Sequence, residues 1–127
     1  MKTVHAALVS ASEQHADRFF QELLGLTRLK TKAVSAELAG RLFGRPEALN
    51  LIDYGGPDFR FEIFLDPDHA PTARRLDHVC LEIADREAFL DRAQAMGLEV
   101  RRAHKDGKQI VFIADFDGNL YEITETA

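Results

Sequence analysis

Residues 3–9, TVHAALV, alternate. Val4, Ala6 and Leu8 fall on one side of an extended strand and His5, Ala7 and Val9 on the other, because successive strand side chains point to opposite faces. The period then changes. Ala16, Phe19, Phe20, Leu23 and Leu24 recur at helical spacing, Ser10 and Glu13 have the separation of a capping box, and Gly25 is a natural helix stop. Strands are expected over 26–34, 48–54 and 59–65, with a short helix over 35–43. The later strands fall over 76–84, 98–104, 108–115 and 119–124, and a helix runs from the N-cap Asp85 to Met96, stopped by Gly97. The KDG run at 105–107 signals a hairpin turn.

The two halves repeat one another. VHAALVSASEQHADRFFQELLGL (4–26) aligns with DHVCLEIADREAFLDRAQAMGL (77–98), each with histidine second, then an apolar strand, a polar break and an amphipathic segment closed by Gly-Leu. GGPDFRFEI (55–63) and DFDGNLYEI (115–123) each lead through a turn-rich stretch into an aromatic-Glu-Ile core. The predicted class is therefore α+β, with two βαβββ modules in tandem: module one 1–66, a proline-bearing linker 67–75, and module two 76–127, together one domain.

Alternation assigns the odd polar residues to faces. Phe59, Phe61, Ile63 and Leu65 oppose Arg60, Glu62 and Phe64; Val79, Leu81 and Ile83 oppose His78, Cys80 and Glu82; Tyr121 and Ile123 oppose Leu120, Glu122 and Thr124. With each helix covering the apolar face of its sheet, His5, Glu62, His78 and Glu122 project to the other side, into whatever concavity the modules enclose. Glu62 sits at the centre of the apolar run FRFEIFL (59–65), so its carboxylate has to be paired, protonated or holding a cation. Two imidazoles and two carboxylates form a donor set for a divalent transition metal. Imidazole suits Zn, Ni, Fe and Co, and added oxygen ligands favour Mn, Fe or Ni in higher coordination.

Composition narrows the function class. The 127 residues are 46% hydrophobic and 29% charged, with a net charge of -5, and no basic cluster stands out that would hold a nucleic acid. Arg74-Arg75 and Arg101-Arg102 read as solvated surface pairs. No apolar run is long enough to span a bilayer, and MKTVHAAL lacks the apolar core of a signal peptide. The single cysteine, Cys80, forms no internal disulfide, which fits a reducing, cytoplasmic setting. Cys80 reads most simply as a small buried hydrophobe, and with Phe64 as a candidate to line the concavity. His15, His69 and His104 have no counterpart in the repeat and read as non-ligands.

VHAALVS, FFQELLGL, LDHVCLEI and DFDGNLYEIT together resemble the successive signposts of the vicinal oxygen chelate superfamily, which includes glyoxalase I, methylmalonyl-CoA epimerase, extradiol dioxygenases and the fosfomycin and bleomycin resistance proteins. The last run is close to that family's Asp-Pro-Asp-Gly-Asn turn before a ligand glutamate, with Phe116 where proline is usual. The resemblance implies that the paired modules form a cup-shaped, partly open mixed sheet with helices outside, around a divalent metal, in a chain that homodimerises. His5 matches the first-strand ligand, Glu62 the fourth-strand ligand of module one, His78 the first-strand ligand of module two and Glu122 the final-strand glutamate. That His-Glu-His-Glu order resembles bacterial glyoxalase I.

A lyase or isomerase is therefore expected, acting on a small α-oxo, hemithioacetal or thioester substrate through a metal-stabilised enediolate, with Glu122 as base and Glu62 second. Glyoxalase I carries an arginine soon after its first histidine, whereas AALVSASEQ has no basic residue, which counts against glutathione as the thiol. Arg18, Arg41, Arg45 and Arg60 remain as anion contacts, Arg60 on the face of Glu62, although each reads most simply as a surface arginine. Two rival functions carry different site predictions. A dioxygenase or thiol transferase would use His5, His78 and Glu122 alone. A metal-free ligand-binding or antibiotic-resistance protein would use none of the set as ligands.

Overall fold

In the computed structural model, which describes residues 1–71 and 75–126, the change of period along each half becomes strand, helix and three further strands. Residues 72–74 of the expected linker, Arg74 among them, and Ala127 lie outside the described residues. The chain divides into two compact units, Met1–His69 and Ala70–Ala127.

The first unit contains β1 (His5–Ser10), α1 (Glu13–Ala16) continuing into a π-helical segment (Asp17–Leu23), β2 (Thr27–Val34), α2 (Ala36–Phe43), β3 (Leu49–Gly55) and β4 (Arg60–Leu65). Its sheet has the order β1-β4-β3-β2, with β1 parallel to β4 and the other neighbours antiparallel. The second unit contains β5 (His78–Ile83), α3 (Arg86–Ala95), β6 (Val100–Lys105), β7 (Lys108–Ala114) and β8 (Leu120–Glu125), in the order β5-β8-β7-β6, again with only the first pair parallel. Two four-stranded mixed sheets with helices, neither closed into a barrel, make this an α+β fold of tandem modules.

Each sheet is apolar on the face that meets its helix. In the first unit Phe19, Phe20 and Leu23 are buried with Ile52, Tyr54, Phe61 and Ile63. The Phe20 ring stacks on Tyr54 with centroids 5.4 Å apart and lies 5.3 Å from Phe61. In the second, Phe89, Leu90 and Ala93 are buried with Val111, Ile113, Tyr121 and Ile123. Side chains of this size lose about 1.5–3 kcal/mol each when returned to water, so these clusters carry the larger part of the stability. A polar tie locks the first helix down. The buried Tyr54 hydroxyl donates to Asp17 Oδ1 at 2.6 Å, and Arg28 donates to both Asp17 oxygens at 3.1 and 2.9 Å. Burial, first, and the neighbouring Asp17 push the Tyr54 phenol far above its ordinary range.

Three local expectations change. The first helix is capped by Ser12, whose Oγ accepts from the His15 N–H at 3.1 Å, and not by Ser10. Ser10 is instead the last residue of β1, with its hydroxyl turned inward to donate to the Ser12 carbonyl at 3.0 Å. The helix also widens into π winding after Ala16, with the Leu24 N–H bonded back to the Phe19 carbonyl; of the five predicted residues Ala16, Phe19, Phe20 and Leu23 are buried and Leu24 is half-buried. Cys80 is exposed and not a buried hydrophobe, because it shares the exposed face of β5 with His78 and Glu82, while Val79, Leu81 and Ile83 take the more buried one. Elsewhere the local signals hold. Asp85 caps α3 by accepting from the Ala88 N–H at 3.0 Å, and Asp106 and Gly107 take consecutive left-handed conformations (φ 53° and 75°), as a tight hairpin between β6 and β7 requires.

Candidate functional site

Register decides which polar side chains meet. In the first unit the parallel ladder sets His5 beside Arg60 and Ala7 beside Glu62, while the antiparallel ladder sets Asp53 beside Glu62. Because strand side chains alternate, His5, Arg60, Glu62 and Asp53 emerge on one face, away from the helix. His5 Nε2 lies 3.1 Å from Glu62 Oε1. Arg60 Nη2 stands 3.5 Å from both His5 Nδ1 and Glu62 Oε2. A guanidinium only donates, so His5 Nδ1 accepts and the imidazole proton sits on Nε2, directed at Glu62. Lys32 adds a second cation, with its Nζ 2.7 Å from Asp53 Oδ2 and 3.5 Å from Glu62 Oε2.

This arrangement explains how a carboxylate survives in the middle of β4. The Glu62 side chain is only 14% exposed, but its two oxygens face an imidazole, an ammonium and a guanidinium. Asp53 is more deeply placed, 3% exposed, and its hydrogen bond raises the Lys32 pKa. Arg60 is half-buried within the cluster, which replaces the reading of it as an ordinary surface arginine. Gly55 makes room for it, since a Cβ there would come within 2.9 Å of Arg60 Cβ. Among the described residues Asp53 Oδ1 and Arg60 Nε are buried without a hydrogen-bond partner, although Arg60 Nε lies 3.8 Å from Asp53 Oδ2.

The second unit repeats the pair in different surroundings. His78 pairs with Leu120 and Cys80 with Glu122 in the parallel ladder, and Phe112 pairs with Glu122 in the antiparallel one. His78 Nε2 is 3.8 Å from Glu122 Oε2. Its Nδ1 lies 2.8 Å from the Leu76 carbonyl, which only accepts, so Nδ1 carries a proton. The ring edge packs on Phe112 with centroids 4.9 Å apart. In the neutral ring Nε2 then keeps its lone pair, and ring position is fixed from two sides.

The turn before Glu122 is held by Asp115. This buried carboxylate accepts from the backbone N–H groups of Asp117 (2.9 Å) and Asn119 (3.0 Å), from Asn119 Nδ2 (2.9 Å) and from the Tyr121 hydroxyl (2.9 Å). The DFDGN run thus sets the register with which β8 presents Glu122.

In donor chemistry the residues fit a divalent transition metal. Each unit brings one imidazole and one carboxylate within 4 Å of each other, and the His78 backbone contact is the outer support that metal-ligating histidines use to fix their tautomer. Within either unit the donors come as a pair; among the described residues no group of three or more His, Cys, Asp or Glu is assembled to hold an ion. Glu62 carries an additional condition, because a metal has to displace the contacts of Lys32 and Arg60.

Phe64 lines a cavity of about 260 Å³ with Ala7, Val9, Phe43 and Leu49 on the His5–Glu62 side of β1 and β4. Arg45 closes its rim through an ion pair with Asp66 at 2.8 Å. In the second unit His78 lines a cavity of about 390 Å³ with Ala103, Ile110, Phe112 and Leu120, bordered by Arg75 and Arg101. Cys80 is not among the residues lining that cavity. Sequence reading missed Lys32 and Asp53. An acid within the apolar run LIDYG carries the same signal as Glu62 in FRFEIFL, and would have drawn attention to Asp53.

The sequence profile of the Glyoxalase/Bleomycin resistance protein/Dioxygenase superfamily matches residues 2–123. Among solved structures, a glyoxalase family protein from Bacillus cereus is similar at 21% identity and a TM-score of 0.74, over 98% of this chain and 93% of that one. The trypanothione-dependent glyoxalase I of Leishmania major is similar at 15% identity and a TM-score of 0.72, over 98% and 86%. The fosfomycin resistance protein FosX from Listeria monocytogenes is similar at 13% identity and a TM-score of 0.71, over 100% and 94%. At these identities the likeness is one of fold. No curated protein matches the sequence. With the profile spanning both repeats and the same tandem fold in these neighbours, the chain belongs to the Glyoxalase/Bleomycin resistance protein/Dioxygenase superfamily.

Proposed function

We propose that the protein is a metal-dependent lyase or isomerase of the glyoxalase I type, acting on a small α-oxo, hemithioacetal or thioester compound. The observation that carries this reading is the repetition of one His–Glu pair at the same register in both units: Ala7 faces Glu62 two residues after His5, and Cys80 faces Glu122 two residues after His78. His5, Glu62, His78 and Glu122 would hold the ion, with Ni, Co, Zn, Fe or Mn all compatible with the donor types. When bound, the cation supplies a Lewis acid for negative charge on two neighbouring substrate oxygens.

The chain's own residues do the rest. The Leu76 carbonyl and the Phe112 ring hold the His78 imidazole in one tautomer and one orientation. Glu122 takes the proton from the carbon next to the substrate oxygens and returns it, with Glu62 second in that role. Cavities floored by Phe64 and by Phe112 exclude water from apolar parts of the substrate. The chain is further proposed to act as a cytoplasmic homodimer. The exposed apolar side chains Leu38, Leu42 and Phe43 of α2 support self-association, and among the described residues no helix is long and apolar enough to cross a membrane.

One observation favours a second reading. Glu62 is already engaged by His5, Lys32 and Arg60, so a site built from His5, His78 and Glu122 alone, serving an oxygenase or a thiol transferase, has Glu62 nearby but off the ion. The two readings separate in one experiment. Chelator-treated protein is reloaded with Ni²⁺, Co²⁺ or Zn²⁺, analysed for metal content and oligomer mass, and assayed for isomerisation of methylglyoxal hemithioacetals formed with several thiols. The first reading expects one ion per site, a particle of twice the 14.3 kDa chain mass, metal-dependent turnover, and loss of both metal and turnover in Glu62→Ala. Metal retained in Glu62→Ala transfers the case to the second reading. No retained metal in the native protein overturns both.

A further inference from the structure

We infer that Arg75 is a positioning residue for the second unit's half of the proposed metal centre: its one guanidinium sets the tautomer of His78 and braces the turn that presents Glu122. The inference deepens the four-donor reading, on which its metal arm rests, by naming what prepares two of the donors before an ion arrives.

A neutral histidine places its proton on whichever ring nitrogen faces an acceptor. For His78 that acceptor is the Leu76 carbonyl, 2.8 Å from Nδ1. Packing of Leu76 does not orient this carbonyl. Residues 75–77 precede β5 without regular structure, and the Leu76 side chain is 92% exposed. The residues on either side of Leu76 are tied instead. Arg75 Nη1 donates to Asn119 Oδ1 at 3.0 Å and Arg75 Nη2 to Asp77 Oδ2 at 2.5 Å. One planar fork thus bridges across Leu76 and pins the segment to the turn before β8. Arg75, half of an arginine pair that the sequence reads as solvated surface, is only 20% exposed. Pro71 makes a second contact with the same turn, against Gly118 (φ 83°), where a Cβ would come within 2.8 Å of the proline ring.

The fork also reaches toward Glu122. Asn119 accepts from Arg75 on its oxygen and donates from Nδ2 to Asp115 Oδ2 at 2.9 Å, so its amide is oriented from both ends. Asp115 in turn holds the hydroxyl of Tyr121, the residue before Glu122. The repeat supplies an internal comparison. In the aligned first unit Lys2 stands at the position of Arg75 and Phe59 at that of Asn119, whose side chain offers no acceptor. There the histidine has the opposite tautomer, with His5 Nδ1 accepting from Arg60 and the proton on Nε2 toward Glu62. In the second unit a neutral His78 turns a lone pair toward Glu122 Oε2, 3.8 Å away. Two acceptors facing each other are a mismatch that a cation resolves, and the Arg75 fork is what maintains it.

Long-range ¹H–¹⁵N NMR of the metal-free full chain at about pH 8.5, above the usual histidine range, reads both tautomers, and calorimetry reads Ni²⁺ affinity. Arg75→Leu removes the fork, and Arg75→Lys keeps one donor. Asp77→Ala, at an exposed position, opens one arm only. Tyr121→Phe is the structural control, because it takes another donor from Asp115 and leaves the fork intact. The expected result is His78 almost wholly protonated on Nδ1 in wild type, a mixture in Arg75→Leu, a smaller shift in Asp77→Ala and substantial recovery in Arg75→Lys, with His5 on Nε2 throughout. Ni²⁺ affinity should fall about tenfold or more in Arg75→Leu, the scale for the outer support of a metal ligand. Tyr121→Phe should lower Tm without moving the tautomer. His78 protonated on Nε2 in wild type, or an unmoved tautomer in both Arg75→Leu and Asp77→Ala, overturns the inference. So does an equal shift in Tyr121→Phe. Failure of wild type to take up Ni²⁺ overturns the four-donor reading instead, while the tautomer comparison still decides the role of Arg75.

Discussion

Glu122→Gln is expected to lower affinity for a divalent metal more than about 100-fold and to abolish turnover, while leaving the fold intact. Substitutions in the outer support of a metal ligand already cost about 10–100-fold, and loss of a ligand's charge costs more. The amide keeps the size of the side chain but removes the anionic oxygen and, with it, the proposed base. The site around Glu122 predicts little structural penalty. Its side chain is one-third exposed, and its ion-pair partner among the described residues is His78, which stays anchored to the Leu76 carbonyl. Equilibrium dialysis with elemental analysis measures the metal, and circular dichroism with thermal melting checks the fold. A variant that melts like wild type and still retains stoichiometric metal would remove Glu122 from the ligand set.

Asp115→Ala is expected to destabilise the protein by about 3–5 kcal/mol, as loss of one partner from a buried charged network does, or roughly 10–20 °C in Tm. Four donors point at this carboxylate: two backbone N–H groups, the Asn119 amide and the Tyr121 hydroxyl, and Tyr121 is fully buried. Alanine removes the acceptor that these four donors share in a buried place, each lost hydrogen bond costing about 1–3 kcal/mol and not fully additively. Asp115→Asn keeps one carbonyl oxygen and should lose about half as much.

The pH dependence has a definite sign. Burial, the largest influence, raises the Asp115 pKa above the ordinary carboxylate range, against hydrogen bonds that lower it, led by that from Asn119. A raised folded-state pKa means that the stabilisation is fully present below the unfolded value near pH 4 and is lost as pH rises through the folded value. The stability gap between wild type and Asp115→Asn should therefore narrow as pH rises from about 4, measured by urea unfolding across that range. Because Asp115 sets the turn into β8, the alanine variant should also bind metal poorly for want of a fixed Glu122.

Much of the architecture follows from two periods and a repeat. Alternation put His5, Glu62, His78 and Glu122 on the faces opposite the apolar residues of their strands; that each histidine lies two residues before the partner of its glutamate is set by the parallel ladders, which alternation leaves open. The surroundings were not legible either. Which residue lies across from Glu62 depends on the β3–β4 register, and alternation leaves that register open; only the ladder shows that Asp53 is the neighbour. Lys32 reaches the cluster from a third strand whose pairing with β3 shifts between Arg28 and Thr31, and no local pattern reports such a shift. Ser12 replaced Ser10 as cap because β1 runs through Ser10, and the two serines carry equal capping chemistry. Cys80 was misplaced for a simpler reason: burial of a small residue in a strand depends on what covers that face, and in β5 the partly covered face is that of Val79, Leu81 and Ile83.

Crystals grown with Ni²⁺ or Co²⁺, with data collected on both sides of the metal absorption edge, probe the proposed shared centre directly. The account predicts one anomalous peak bonded to the imidazoles of His5 and His78 and the carboxylates of Glu62 and Glu122, with Arg60 turned away from Glu62. A peak held by other groups, or His–Glu pairs that each stay closed on themselves while the metal sits elsewhere, would contradict it.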